Sequence, residues 1–180
     1  MEKKKNDFIA QGSILAVASI LVRVMGMIYR IPMTAIIGDK GNGFYSYAYS
    51  VYTILLLLSS YSLPLAVSKM VSAKAQLGQW RNVKRVFICA IAFAIGIGTT
   101  FGLIVLIGAQ FFTRVFFHSE LAAIALRFMA PTILIMALLG VFRGFFQGLQ
   151  NTLPTAVSQI VEGLINAIIS VVFAYFLFDF

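Results

Sequence analysis

Two arginines, Arg23 and Arg30, stand inside a long apolar run of the chain. They stand seven positions apart, close to two helical turns, so on a helix they share one face with about 10 Å between them along the axis. Gly26 falls between them on that face, with Met27 beside it. A residue that small leaves room for a ligand or a neighbouring helix. The guanidinium is a planar fork of donors matched to phosphate, so the pair is expected to take an anionic ligand. The competing reading has Arg30 reaching the outer interface and Arg23 paired with a distant acid. A second pattern lies further along the chain. Thr155, Gln159, Glu162, Asn166 and Ser170 recur at spacings of 4, 3, 4 and 4, which puts all of them on one helix face. Glu162 is expected to balance Arg23, Arg143 or a coupling cation, unless the stripe is only a seam of interhelical hydrogen bonds. Arg143 shares a face with Gln147 and either meets the ligand or anchors its helix. The expected substrate-binding set is therefore Arg23, Gly26, Arg30, Arg143, Glu162 and Asn166.

Other chemistries lack their parts. The acids are Glu2, Asp7, Asp39, Glu120, Glu162 and Asp179, and only Glu162 falls well inside an apolar segment. No nucleophile stands beside a base, and no glycine-rich phosphate loop precedes a helix, so no enzyme is expected. Cys89 and His118 are the only residues of their kinds, which leaves no metal site to assemble from them. Cys89 reads as a small buried hydrophobe. No cofactor is expected, apart from an unidentified coupling ion.

These residues must be held by elements that suit lipid. Of 180 residues, 61% are hydrophobic and 11% charged, against about 25% charged in an average soluble domain. Mean hydropathy is +0.95. A soluble fold of this length hides only about 70% of the surface of its unfolded chain, too little for this composition. In a bilayer the backbone must satisfy itself, and continuous apolar runs rather than alternation select helices over a barrel. The expected fold is an all-α, polytopic membrane helix bundle with about five spans, near residues 8–37, 44–70, 86–112, 121–147 and 154–178. Pro32, Pro64 and Pro131 fall inside spans and are expected to kink them. Pro154, after Asn151 and Thr152, suits a helix entry.

The net charge of +8 is distributed as in a membrane protein, which argues against nucleic acid. Lys3, Lys4 and Lys5 precede the first run, and Lys74, Arg81, Lys84 and Arg85 lie between the second and third. Only Lys40 and Arg114 fall on the opposite side, with Arg127 just inside span 4, so the N-terminus is expected in the cytoplasm. Trp80, Tyr45, Tyr47 and Tyr49 suit the two membrane interfaces, and Tyr45, Tyr49 and Tyr52 share a face. Five spans place Phe180 outside.

Three stretches together carry a resemblance. They are RVMGMIYRIP from Arg23, LPLAVSKMVSAKAQLGQWRNVKRVF from Leu63, and FRGFFQGLQNTLPTAVSQIVEGL from Phe142. They resemble the stage V sporulation protein B and lipid II flippase branch of the multidrug/oligosaccharidyl-lipid/polysaccharide exporter superfamily. The resemblance implies a bacterial cell-membrane transporter of about fourteen helices in two lobes, of which this chain is part of the N-terminal lobe. Its implied partners are a lipid-linked oligosaccharide, the phospholipid bilayer and the remaining helices. It implies that undecaprenyl-pyrophosphate-linked sugars, lipid II foremost, move to the outer leaflet by alternating access. Arg23 and Arg30 match basic residues of that family's first helix, and Glu162 matches an acid of its fifth. The chain departs from the lipid II flippases in having no basic residue between Val51 and Ser68, and their two first-helix arginines are one residue closer together. A cation-coupled multidrug exporter and a non-transporting helical scaffold are the competing readings.

Overall fold

The computed structural model describes residues 2–60, 62–117 and 121–178, with side chains from residue 12 onward except at 60, 177 and 178. Lys3, Lys4 and Lys5 lie outside the described side chains. His118, Glu120, Asp179 and Phe180 lie outside the described residues altogether. The described backbone is helical almost throughout, in five elements: α1 Glu2–Ser60, α2 Leu63–Gln76, α3 Trp80–Phe117, α4 Leu121–Gly148 and α5 Leu153–Phe178.

Helices α3, α4 and α5 contain the expected spans at 86–112, 121–147 and 154–178. The first two spans differ from expectation. Among the described residues, four stretches rather than five are long and apolar enough to cross a membrane, because residues Gly12–Gln76 run as one stretch of 65. Read as a straight rod, that is about 97 Å of helix against a hydrocarbon core of about 30 Å. Its helical course is interrupted at two places. Gly38 takes φ 72° and ψ 173°, a combination open to glycine and costly for any residue with a Cβ. The second break separates Ser60 from Leu63, and Pro64 sits in the first turn of α2. Pro64 therefore starts a helix and does not kink the middle of one, because its missing N–H costs nothing where no intrahelical acceptor exists. Pro32 and Pro131 do lie inside helices.

The end of α2 is closed tightly. Gly78 has φ 68°, its N–H donates to the Ala75 carbonyl at 3.0 Å, and the Gln79 N–H donates to the Lys74 carbonyl at 3.0 Å. This pair of bonds satisfies carbonyls that a helix end otherwise leaves open. The Asn82 side chain then donates to Gln79 Oε1 at 2.9 Å, tying the start of α3 to the turn. At the far end, the Ala156 N–H donates to the Thr152 carbonyl at 3.0 Å, so Thr152 opens α5 with Pro154 in its first turn.

The chain forms two compact units. One is Met1–Asn42 with Gln150–Phe180, and the other is Gly43–Leu149. The second has two apolar clusters. Leu63, Val67 and Val71 of α2 meet Val83 and Ala94 of α3 and Ala137 and Val141 of α4. Val51 and Tyr52 meet Val105, Ala109, Leu126, Ala130 and Ile133. Many of these residues are small. Lipid offers no hydrophobic drive for helices to associate, so close approach of backbones must supply the attraction. A Cβ added at Gly144 would lie 2.5 Å from the Pro64 carbonyl oxygen, and one at Gly148 would lie 2.7 Å from Val71 Cβ and 2.8 Å from the Ser68 carbonyl oxygen. Gly144 and Gly148 let α4 lie directly on α2, and Gly140, four residues before Gly144, is also buried. Outside the clusters large hydrophobics face outward, among them Ile54, Leu65, Ile107 and Phe128, as helices facing lipid should present.

Cys89 corrects an expectation. It is exposed, because it projects from the outward side of α3, where the solvent of a membrane protein is itself apolar. Tyr45 and Tyr49 stack at 5.8 Å, Tyr49 and Tyr52 lie 6.1 Å apart, and Tyr52 is buried among the core residues. Tyr52 and Thr132 share a hydrogen bond of 3.1 Å. The Thr132→Val variant is expected to lower stability by about 0.6 kcal/mol, the average for such bonds in a membrane protein. That is a fall of about 2 °C in apparent Tm for a chain of this size, read by thermal unfolding in detergent; an unchanged Tm would assign the bond no net contribution.

Candidate functional site

In the unit formed by the first limb of α1 and by α5, Arg23 and Arg30 are both exposed. Neither forms a side-chain hydrogen bond or ion pair among the described residues. Gly26 lies between them, and nothing stands within 4 Å of the place its Cβ would occupy. Arg23 and Arg30 thus lie two turns apart on α1 with open space at Gly26 between them. Met27 and Ile31 beside it are also exposed. One turn on, the Thr34 hydroxyl lies 2.9 Å from the carbonyl oxygens of both Arg30 and Ile31, a local bond that accompanies bending in helices, here next to Pro32.

Helix α5 meets this limb at Gly163. A Cβ there would lie 2.9 Å from Met25 Cε and 3.4 Å from Val22 Cγ1. Val22 and Met25 are the sequence neighbours of Arg23 and Gly26, and Glu162 is the neighbour of Gly163. The structure thus brings the Arg23–Gly26 level of α1 and the Glu162 level of α5 to the same height. Along α5, Glu162 and Asn166 are exposed, Gln159 and Ser170 half-buried, and Thr155 buried. Ser170 donates to Asn166 Oδ1 at 3.1 Å, so part of the stripe is bonded along its own helix. Gln159 Oε1 is enclosed and has no hydrogen-bond partner among the described residues.

Arg143 belongs to the other unit. It is half-buried in α4, with its Nε enclosed and without a hydrogen bond there, although the residue does have an interaction partner. Arg127 is exposed on the same helix, and Lys69 is exposed on α2. Sequence reasoning placed the cations and the polar stripe but missed Gly163, the residue that sets the two helices at one height. It also missed the Gly140, Gly144 and Gly148 ridge, although its four-residue spacing was visible.

Comparison with known proteins bears on the whole chain. Residues 8–179 match the family model described as "Polysaccharide biosynthesis protein". The lipid II flippase MurJ of Bacillus subtilis (strain 168) is 28% identical over 163 residues, covering 86% of this chain and 30% of the relative. Stage V sporulation protein B of the same organism is 26% identical over 162 residues, covering 90% of this chain and 31% of the relative. No solved structure matches the chain. The chain spans about a third of the length of these relatives.

Proposed function

The chain belongs to the polysaccharide biosynthesis protein family, and from that membership we propose that it is the N-terminal part of a flippase carrying an undecaprenyl-pyrophosphate-linked saccharide to the outer leaflet of the bacterial cell membrane. Lipid II is the cargo on this reading, in keeping with the name of one relative, and alternating access is the mechanism. The observation that carries the proposal is the exposed, unpaired Arg23 and Arg30 with open space over Gly26. Uncompensated arginines at membrane depth are expensive. They are retained at a profit only if an anion arrives to pair with them, and a pyrophosphate offers their planar forks several acceptors. Glu162, at the same height, keeps the site from being uniformly cationic, and Asn166 adds a polar contact beside it. No cofactor enters the reading, and the N-terminus is cytoplasmic because Lys74, Arg81, Lys84 and Arg85 cluster in one loop.

The test uses cells that depend on the full-length parent. Depleting it is expected to trap lipid II in the inner leaflet and reduce the fraction accessible from outside, and re-expression is expected to restore it. An unchanged distribution would remove lipid II as cargo. Within such cells Gly26→Ala is expected to transport normally, whereas Gly26→Leu fills the space between the arginines. Gly26→Leu should keep its membrane abundance and lose about tenfold in transport, the effect of about 1.4 kcal/mol of lost binding. Equal transport by the two variants would place the cargo elsewhere.

A further inference from the structure

The turn joining α2 to α3 gathers cations, none of them paired with an acid among the described residues. From Lys40 to Ser119 the sequence contains no aspartate or glutamate. Among the described residues, Lys74, Arg81, Lys84 and Arg85 make no side-chain hydrogen bond or ion pair. Arg81, Lys84 and Arg85 stand at positions i, i+3 and i+4 of α3 and so form one stripe, turned away from buried Val83. The next residue along that stripe is Ile88, which is 55% exposed, and Ile95 two turns on is exposed as well. The outward side of α3 thus changes from cationic to apolar within one turn.

The tip of the turn repeats the contrast. Leu77 is 67% exposed and Trp80 63% exposed, held on either side of Gly78 by the paired backbone bonds that close α2. A rigid turn that presents a leucine and a tryptophan beside cations, at the end of a lipid-facing helix, fits the boundary between headgroups and acyl chains. No acid lies in this part of the chain, and at that depth the abundant anions are lipid phosphates.

We propose that the α2–α3 turn is a binding site for anionic phospholipid headgroups, with Arg81, Lys84 and Arg85, joined by Lys74, holding the phosphates while Leu77 and Trp80 seat in the acyl boundary. The proposal does not depend on the cargo assigned to the Arg23–Arg30 face. Each Lys or Arg near an anionic surface contributes about fivefold in association.

Trp80 is the only tryptophan of the chain, so its fluorescence reports on this turn alone. The chain reconstituted in phosphatidylcholine nanodiscs is titrated with brominated phosphatidylglycerol or, in parallel, brominated phosphatidylcholine at equal mole fractions. Phosphatidylglycerol is expected to quench Trp80 with at least a fivefold higher relative association constant. The preference should weaken in about 1 M salt, where the screening length falls to about 3 Å. It should vanish in the triple variant Arg81→Gln, Lys84→Gln, Arg85→Gln and persist in the charge-keeping triple Arg81→Lys, Lys84→Arg, Arg85→Lys. Equal quenching of the wild-type chain by the two lipids overturns the proposal, as does a phosphatidylglycerol preference that survives in the glutamine variant. Release of the preference by inorganic phosphate, but not by chloride at the same ionic strength, also overturns it, since that marks a site for a free anion. The wild-type arms decide the matter even if the glutamine variant fails to fold.

Discussion

Replacing both Arg23 and Arg30 with alanine in the full-length parent is expected to cut delivery of the lipid-linked saccharide by a hundredfold or more, with membrane abundance unchanged. The magnitude follows from the partners involved. A hydrogen bond to a charged group contributes about 1.5–3 kcal/mol, and losing two such contacts removes about 3 kcal/mol at least, or about two decades. The selectivity of the effect follows from the structure. Both side chains are exposed and bonded to nothing among the described residues, so truncating them should change stability by less than about 0.5 kcal/mol. Replacement by lysine at both positions keeps the charge but discards the planar fork, and an intermediate loss is expected. The readout is outer-leaflet accessibility of the precursor in cells that depend on the parent, with abundance measured alongside. Accessibility that stays unchanged in the double alanine variant would sink the role given to this face.

The second large effect is on folding. Gly144→Val is expected to lower the apparent Tm in detergent by about 10 °C or to prevent recovery of folded protein. A Cβ at position 144 would stand 2.5 Å from the Pro64 carbonyl oxygen, 2.8 Å from its Cα and 3.0 Å from its carbonyl carbon. All of these are backbone atoms, which cannot swing aside as the end of a side chain can. Helices α2 and α4 would have to part, loosening the contact of Gly148 with Val71 and the cluster of Val67, Ala137 and Val141. Overpacking costs about 1–3 kcal/mol where side chains can yield, so the upper end applies here, and about 3 kcal/mol corresponds to about 6–12 °C for a chain of this size. The control is Gly96→Ala on α3, where nothing lies within 4 Å of the added Cβ and the helix should be stabilised slightly. Equal Tm values for the two variants would show that the α2–α4 approach does not hold the unit together.

The difference between these two predictions marks what could be read from the sequence. The Arg23, Gly26 and Arg30 face, and the Thr155 to Ser170 stripe, depend only on the 3.6-residue period. They were legible because nothing outside their own helix decides them. Helices α3, α4 and α5 were legible for a similar reason, since continuous apolar runs bounded by charge or proline admit one solution in lipid. Contacts between helices were not. That Gly163 meets Met25, or that Gly144 meets Pro64, depends on which helix faces which, and small residues look alike until their neighbour is known. The segment from Gly38 to Gly43 misled for a different reason. Its glycines, Asp39, Lys40 and Asn42 have the composition of a loop, yet of these residues only Gly38 leaves helical backbone geometry. Exposed Cys89 and buried Tyr52 reversed the usual ranking of polarity, because an outward position in this protein faces hydrocarbon.

The break at Gly38 inside α1 has a mechanical meaning. A helical rod pivoting on one residue acts as a lever, and displacement grows with distance from the fulcrum. Arg30 is eight residues from Gly38 and Arg23 fifteen, or about 12 Å and 22 Å along the axis. A swing of about 10° at the pivot carries the first through about 2 Å and the second through about 4 Å. Any rotation at that residue would therefore displace Arg23 about twice as far as Arg30, as the ratio of their distances from it requires.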